Sequence, residues 1–359
     1  MGKEIKLMKG NEALAHGAIR AGADGYFGYP ITPQSEVLEC LMEVEPWKTT
    51  GMVVLQAESE IASINMVYGG AGCGKRVMTT TSSPGWSLMQ EGASYLAGAE
   101  LPCVVANVMR GGPGLGTIQP SQGDYFQAVK GGGHGDYHFI VLAPNSVQEM
   151  ADFVGLGFDL AFKYRNPVMI LSDGVIGQMM EKVVLPEQKP RLTDEEIRAK
   201  YKWATIGHDG AHRSIITSLE LQSQVMEENN HRFQAKYRQI EEEEVRYEEF
   251  QIEDAEYIIV AFGSSSRIAL KTVELCRAEG KKVGMIRPIT LWPFPSQRIA
   301  ELAQTAKGFI SVELNAGQMV EDVRLAVNGT KPVYHYGRMG GMIFAPGEIK
   351  EAMTKCFNW

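Results

Sequence analysis

Chemistry in this sequence gathers at a few polar residues that follow short apolar runs. Glu58-Ser59-Glu60 closes the run Leu55-Gln56-Ala57 and opens the small, apolar stretch Ile61-Ala62-Ser63. The two carboxylates are two apart, so they diverge if a helix begins at Ser59. Glu60 leads directly into the apolar stretch, which favours its partial burial. A carboxylate there needs a specific partner or it tends to stay protonated. Simple complementarity to a helix N-terminus would also explain either acid. Upstream, Tyr29-Pro30-Ile31-Thr32-Pro33-Gln34-Ser35-Glu36 follows another short apolar run. Two prolines stiffen the turn, and Gln34-Ser35 can open a helix. Thr32 would then stand on a rigid loop, placed to hydrogen-bond a small anion beside helix amides. From this segment alone, a structural strand-to-helix turn serves equally well.

Three other segments suggest chemistry they do not support. Gly69-Gly70-Ala71-Gly72-Cys73-Gly74-Lys75-Arg76 begins like a phosphate-binding loop. Arg76, however, replaces the hydroxyl that would hold magnesium, and the segment follows a helix rather than a strand. A helix C-terminal turn is the better reading. Gly111-Gly112-Pro113-Gly114-Leu115-Gly116 lacks the helix and downstream acid of a dinucleotide fingerprint, but it follows a strand ending at Arg110. That puts it at a carboxyl edge, where α/β proteins bind ligands. Gly131-Gly132-Gly133-His134-Gly135-Asp136 offers too few ligands for a metal and reads as a solvent or interface loop.

The elements that must carry these residues alternate. Asn11 can cap a helix running to about Ala21, with Gly22 as its stop. Strands are expected at Gly25–Tyr29, Met52–Gln56, Val77–Thr81, Pro102–Val108, Phe139–Leu142 and Val168–Leu171, with helices from about Ser59 and Gly85. Continuous apolar strands between helices indicate a parallel sheet covered on both faces. Pro186–Pro190 marks a boundary, and Leu219–Phe250 reads as a charged, partly packed linking helix containing Glu241-Glu242-Glu243-Glu244. A second, smaller α/β unit starts at Tyr257–Gly263, with further strands at Lys282–Arg287, Phe309–Glu313 and Pro332–Tyr336. The expected division is 1–190, a connector at 191–250, and 251–359.

Composition limits the function classes. The chain has 359 residues, enough for two domains, and its net charge of -8 argues against a nucleic-acid surface. No apolar run is long enough for a bilayer, and Met1–Lys6 has no apolar signal core, so a cytoplasmic protein is expected. The five cysteines, Cys40, Cys73, Cys103, Cys276 and Cys356, are scattered without a CxxC spacing. Iron–sulfur and structural zinc sites need several closely spaced thiolates, so neither is expected in this chain.

In order, Tyr29–Glu36, Glu58-Ser59-Glu60, Thr79-Thr80-Thr81-Ser82-Ser83-Pro84-Gly85 and Arg110 resemble the α subunit of the 2-oxoacid:ferredoxin oxidoreductases, over essentially the whole chain. Gly111–Gly116, Ile118-Gln119-Pro120-Ser121-Gln122 and Asn145–Met150 are similar in wording to the branched-chain (2-oxoisovalerate) enzyme of that family. The resemblance implies a pyrimidine-type thiamine diphosphate-binding domain followed by a smaller domain like the transketolase C-terminal domain. It implies that Glu60 contacts the ring nitrogen of thiamine diphosphate as a proton-relay partner, with Pro30 and Ile31 beside the cofactor. Thr32 and Arg110 match family positions near the substrate carboxylate. The implied reaction is oxidative decarboxylation of a 2-oxoacid, with the acyl group passed to coenzyme A and two electrons to iron–sulfur clusters.

Two absences from the sequence imply partners. The GDG…NN signature that holds Mg2+ and the diphosphate has only Ser172-Asp173-Gly174 as a near match, and Asn229-Asn230 lies too far downstream. A β subunit is therefore expected to carry the diphosphate and Mg2+ half. The [4Fe-4S] clusters are expected on partner chains, including a ferredoxin-like subunit, with an external ferredoxin as final acceptor. Alternatives are the 2-oxoglutarate enzyme of the same family, a non-catalytic assembly subunit, and a transketolase-like enzyme using no ferredoxin. The first would want a distal Lys or Arg for its second carboxylate, and Gly111–Gly114 offers none.

Overall fold

Short β-branched and apolar runs punctuated by Gly, Pro and Ser become strands in the computed structural model, which describes residues 4–207 and 213–359. Met1–Lys3, part of the segment from which no leader is expected, and 208–212 of the connector lie outside the described residues. The strands are β1 (Ile5–Lys9), β2 (Gly25–Gly28), β3 (Val53–Gln56), β4 (Val77–Thr81), β5 (Val104–Met109), β6 (Ile140–Leu142), β7 (Val168–Asp173) and β8 (Met180–Val184). They continue as β9 (Tyr247–Phe250), β10 (Tyr257–Val260), β11 (Val283–Pro288), β12 (Thr290–Trp292), β13 (Gly308–Glu313) and β14 (Val333–Gly337).

The larger sheet has seven strands in the order β12-β6-β7-β5-β4-β2-β3, parallel except at β12. Its central strands β4, β5 and β7 are buried along their whole length, as expected for a sheet covered by helices. Parallel register brings the carboxyl ends of β5, β4, β2 and β3 side by side. The smaller sheet runs β14-β13-β10-β11-β9, parallel except at β9. A third, two-stranded sheet pairs β1 with β8.

Helix starts follow their local chemistry. Ser59 caps the helix Glu60–Gly72 by accepting from the Ala62 amide, and Pro84 opens Pro84–Gly98. Gly69–Arg76 is the C-terminal turn of that first helix, leading into β4. Asn11 differs from expectation. Lys9 occupies the cap of helix Gly10–Arg20, and Asn11 lies inside it, fully buried. Its amide instead donates to Pro33 O (2.6 Å) and Glu36 Oε2 (2.9 Å), because burial favours long-range acceptors where water is absent.

The two larger sheets are not independent. Residues 289–292 cross back so that β12 extends the first sheet, and β9, from the linking segment, extends the second. The helix Ser223–Glu243 buries Phe233, Tyr237 and Ile240, while Glu243 and Glu244 take Lys163 Nζ at 2.8 Å each. The seam between the sheets is polar and densely bonded. Gln122 donates to Phe262 O (2.8 Å) and accepts from Ser265 Oγ (2.7 Å) and the Leu314 amide (3.1 Å). Asp173 caps the short helix Gly174–Gln178 with one oxygen and accepts from Ser264 Oγ (2.6 Å) with the other. Arg287, 1% exposed, reaches Glu149 with both terminal nitrogens and Glu248 at 2.8 Å.

Candidate functional site

The carboxyl edge of the larger sheet collects the sequence-predicted residues. Glu60 is the first residue of its helix and 6% exposed, while Glu58 faces solvent. The divergence follows from the helix beginning at that point. The Glu60 side chain lies over Gly85, at the start of the next helix. A Cβ at Gly85 would collide with Thr81 Oγ1 and stand 2.7 Å from Glu60 Cγ and Oε1. Only glycine lets the two helix starts approach this closely.

Around this contact, buried polar atoms are left without partners. Thr79 Oγ1 in the middle of β4, Thr81 Oγ1 at its end and Ser82 Oγ just beyond it have none within the protein. An unpartnered buried hydroxyl costs about 1–3 kcal/mol, so three along one strand and its first following residue are an uncommon concentration of unmet polar groups. A buried acid, unsatisfied hydroxyls and a glycine cradle fit a flat heterocycle with ring nitrogens, such as an aminopyrimidine.

The Tyr29–Glu36 turn is fixed from four sides. Thr80 Oγ1, itself 2.6 Å from Tyr26 OH, donates to Gln34 Oε1, and Gln34 Nε2 donates to Tyr29 O at 3.2 Å. Asn11 and Gln178 both donate to Pro33 O, at 2.6 and 3.1 Å. The fourth contact is Arg110 Nη1, which donates to Thr32 O at 2.9 Å. Arg110 and Thr32, 78 positions apart in sequence, are thus brought together. The Thr32–Pro33 peptide is cis. Thr32 and Pro30 are exposed and Ile31 half-buried, all on the rim of the same edge.

Arg110 is 8% exposed. Its Nη2 donates to Leu115 O at 3.0 Å, within the glycine loop, and its Nε has no partner. Among the described residues no carboxylate forms a salt bridge with it. It lines a cleft of about 430 Å³ closed on the far side by Leu314, Asn315 and Met339 of the second unit. Among the residues described as lining this cleft, Arg110 is the one cation and Asp124 the one anion.

Three residues here were given no role from the sequence, Ser83 being named only within the Thr79–Gly85 stretch. Ser83 takes a positive φ of 21° with ψ -77°, rare for a side-chain-bearing residue. Its amide donates to Asn107 Oδ1 (2.9 Å) and its hydroxyl to Asp124 Oδ2 (2.6 Å), while it accepts from the Arg110 amide at 3.1 Å. Asn107 Nδ2 donates to the same Asp124 oxygen at 2.9 Å. Loss of solvent pushes the Asp124 carboxyl above the usual aspartate range; the bonds from Ser83 and Asn107 and the Arg110 charge oppose that shift. Asn107 was visible in the sequence as one polar residue inside the apolar run Cys103–Val108. Among the described residues no group of three or more His, Cys, Asp or Glu is placed to hold a metal, and the five cysteines are free.

Comparison with known proteins adds to this geometry. Residues 16–250 match the family described as pyruvate flavodoxin/ferredoxin oxidoreductase, thiamine diphosphate-binding, and residues 255–349 match pyruvate:ferredoxin oxidoreductase core domain II. The ketoisovalerate oxidoreductase subunit VorB of Methanothermobacter marburgensis is 52% identical over 350 residues, covering 98% of this chain and 96% of that one. The 2-oxoglutarate synthase subunit KorA of Methanocaldococcus jannaschii is 36% identical, covering 98% and 99%. Among solved structures, the 2-oxoglutarate:ferredoxin oxidoreductase of Magnetococcus marinus, with 2-oxoglutarate, coenzyme A and succinyl-CoA bound, superposes with a TM-score of 0.86 at 30% identity. That match covers 98% of this chain and 65% of that one. A split-gene transketolase, 12% identical with a TM-score of 0.61, shares the fold alone.

Proposed function

The chain belongs to the 2-oxoacid:ferredoxin oxidoreductases, oxidoreductases that work as assemblies of subunits, and on that premise we propose that it is the α-type subunit of a branched-chain enzyme converting 2-oxoisovalerate, coenzyme A and oxidised ferredoxin to acyl-CoA, CO2 and reduced ferredoxin. The observation that carries the reading is the buried Glu60 carboxylate set over Gly85 among unpartnered threonine hydroxyls. Thiamine diphosphate supplies, when bound, the carbon nucleophile and electron sink that decarboxylation requires. Glu60 would meet a ring nitrogen of the bound cofactor, relaying a proton there and orienting the ring. Pro30 and Ile31 would flank the ring on the rim of the edge.

Arg110 and Thr32 capture the substrate carboxylate. Both terminal nitrogens of Arg110 rest on backbone carbonyls, which fixes the plane of its fork before substrate arrives. The guanidinium lines the cleft without a salt-bridge partner among the described residues, and its buried Nε has no hydrogen-bond partner. The rest of the cleft favours an apolar side chain. Pro113, Leu314, Ala316 and Met339 line it with no second cation, and Asp124 would repel a distal carboxylate. Similarity to ketoisovalerate oxidoreductase subunits supports the same choice.

The other half of the site belongs, in this proposal, to a β subunit carrying Mg2+ and the diphosphate. Ile61 and Leu88, 50% and 52% exposed on the two helices that meet at Glu60 and Gly85, offer an apolar rim for that partner. The [4Fe-4S] clusters and the ferredoxin contact lie on further partner chains. We keep 1–190, 191–250 and 251–359 as the proposed domain division. Among the described residues no helix is long and apolar enough to cross a membrane, and the proposed compartment is the cytoplasm.

The test is a substrate panel on the purified complex, following ferredoxin or viologen reduction with 2-oxoisovalerate, 2-oxoglutarate and pyruvate. The proposal expects the highest kcat/KM with 2-oxoisovalerate. A preference for 2-oxoglutarate would reassign the substrate. Full activity in a complex lacking this chain would make it an assembly subunit.

A further inference from the structure

Asp124 stands just before the short helix Tyr125–Val129, where an aspartate ordinarily caps its own helix. Here its side chain makes no cap bond. One oxygen, Oδ2, instead gathers Ser83 Oγ at 2.6 Å and Asn107 Nδ2 at 2.9 Å, and the Ser83 amide returns to Asn107 Oδ1 at 2.9 Å. The three residues close a ring of hydrogen bonds across the carboxyl ends of β4 and β5. Ser83 is held by that ring in a backbone conformation that side-chain-bearing residues rarely adopt.

The held turn borders both halves of the proposed site. On one side, Ser83 Oγ accepts from the Arg110 amide, which fixes the backbone that carries the guanidinium. On the other, Ser83 is followed by Pro84 and Gly85, the residue against which Glu60 packs. Asp124 also shares the cleft wall with Arg110, close enough for the Arg110 charge to act on its carboxylate but with no salt bridge between them.

We propose that Asp124 is a positioning residue for substrate capture, acting through Ser83 and Asn107 to hold Arg110 in place. This rests on the reading of Arg110 as the substrate-carboxylate residue. The ionised carboxylate is the form that accepts both bonds at full strength. Arg110 is the charged group acting on it, and burial moves its titration above the usual aspartate range. As pH falls through that raised pKa the ring loosens, so kcat/KM for the 2-oxoacid falls with an acid limb belonging to Asp124.

The test uses the reconstituted complex with 2-oxoisovalerate. Asp124→Asn keeps the shape and removes the charge. It is expected to lower kcat/KM about tenfold, mainly through KM, and to flatten the acid limb, with thiamine diphosphate content unchanged. Ser83→Ala should raise KM similarly, and the double variant should cost no more than the worse single. Additive losses, an unchanged KM in Ser83→Ala, or an acid limb that persists in Asp124→Asn would each overturn the inference. A wild-type complex inert towards every 2-oxoacid would instead overturn the functional reading.

Discussion

Arg110 and Arg287 are both buried arginines at the ends of strands, and their surroundings differ in kind. Arg287, at the seam between the sheets, meets Glu149 with both terminal nitrogens, Glu248 with one, and Ala143 O besides. Arg110, at the carboxyl edge of the larger sheet, meets two backbone carbonyls and, among the described residues, no paired carboxylate. Each leaves its Nε unpartnered. The difference lies in charge compensation. A buried cation that the fold neutralises belongs to the structure, whereas one held in place without a salt-bridge partner is the one we propose for a ligand. The neighbours agree. At the seam, Gln122 bonds across through both ends of its side chain and Asp173 uses one oxygen across it and the other to cap its own helix, while the hydroxyls of Thr79, Thr81 and Ser82 have no partner.

The strongest way to break this contrast is at Glu60. Glu60→Gln should lower 2-oxoacid-dependent viologen reduction about 10²- to 10⁴-fold while the complex still assembles. Turnover at the wild-type rate would remove Glu60 from the chemistry. At the seam, Arg287→Ala should destabilise the chain by about 3–5 kcal/mol, since it strands Glu149. Denaturant unfolding of the variant and parent complexes measures it, and a loss as small as that of a surface change would undo the comparison. Arg110→Ala should do the reverse, lowering kcat/KM about 10- to 100-fold through KM and shifting the unfolding midpoint little. A large shift in that midpoint with normal KM would make Arg110 a second Arg287.

The smallest effect belongs to an exposed pair that serves as control. The hydrogen bond from Lys163 holds the Glu243 carboxyl down at about 2, with smaller contributions from Gln239 and Tyr164. Because its pKa is depressed on folding, any stabilisation is present above the ordinary glutamate range and is lost as pH falls towards about 2. Glu243→Gln should therefore leave stability at neutral pH nearly unchanged, and added salt should erase what difference there is. A salt-insensitive loss at pH 7 would contradict this.

Much of this was legible in the residues themselves. Continuous apolar runs between small-residue helices marked the parallel sheet, and the residue order at Glu58-Ser59-Glu60 indicated that the two acids diverge and favoured partial burial of Glu60. Thr32 and Arg110 were identifiable through resemblance, but no spacing could show that one donates to the other's carbonyl. Asn107 and Asp124 carried little signal, because an isolated polar residue in a strand or before a short helix is ordinary until its partner is known. The same holds for β12, whose pairing with β6 depends on how two distant segments fold past one another.

By itself, then, the sequence determined most of the local elements and their order and favoured partial burial of Glu60, because hydrophobic pattern, helix periodicity and capping act over a few residues. The tertiary structure decided which buried polar groups are paired and which are not. Hydrogen-bond satisfaction in the interior depends on neighbours brought from 78 positions away, as for Arg110 and Thr32, or 91, as for Asp173 and Ser264. That pairing separates the seam, where most bonds are made, from the edge, where Arg110 Nε and the hydroxyls of Thr79, Thr81 and Ser82 have no protein partner.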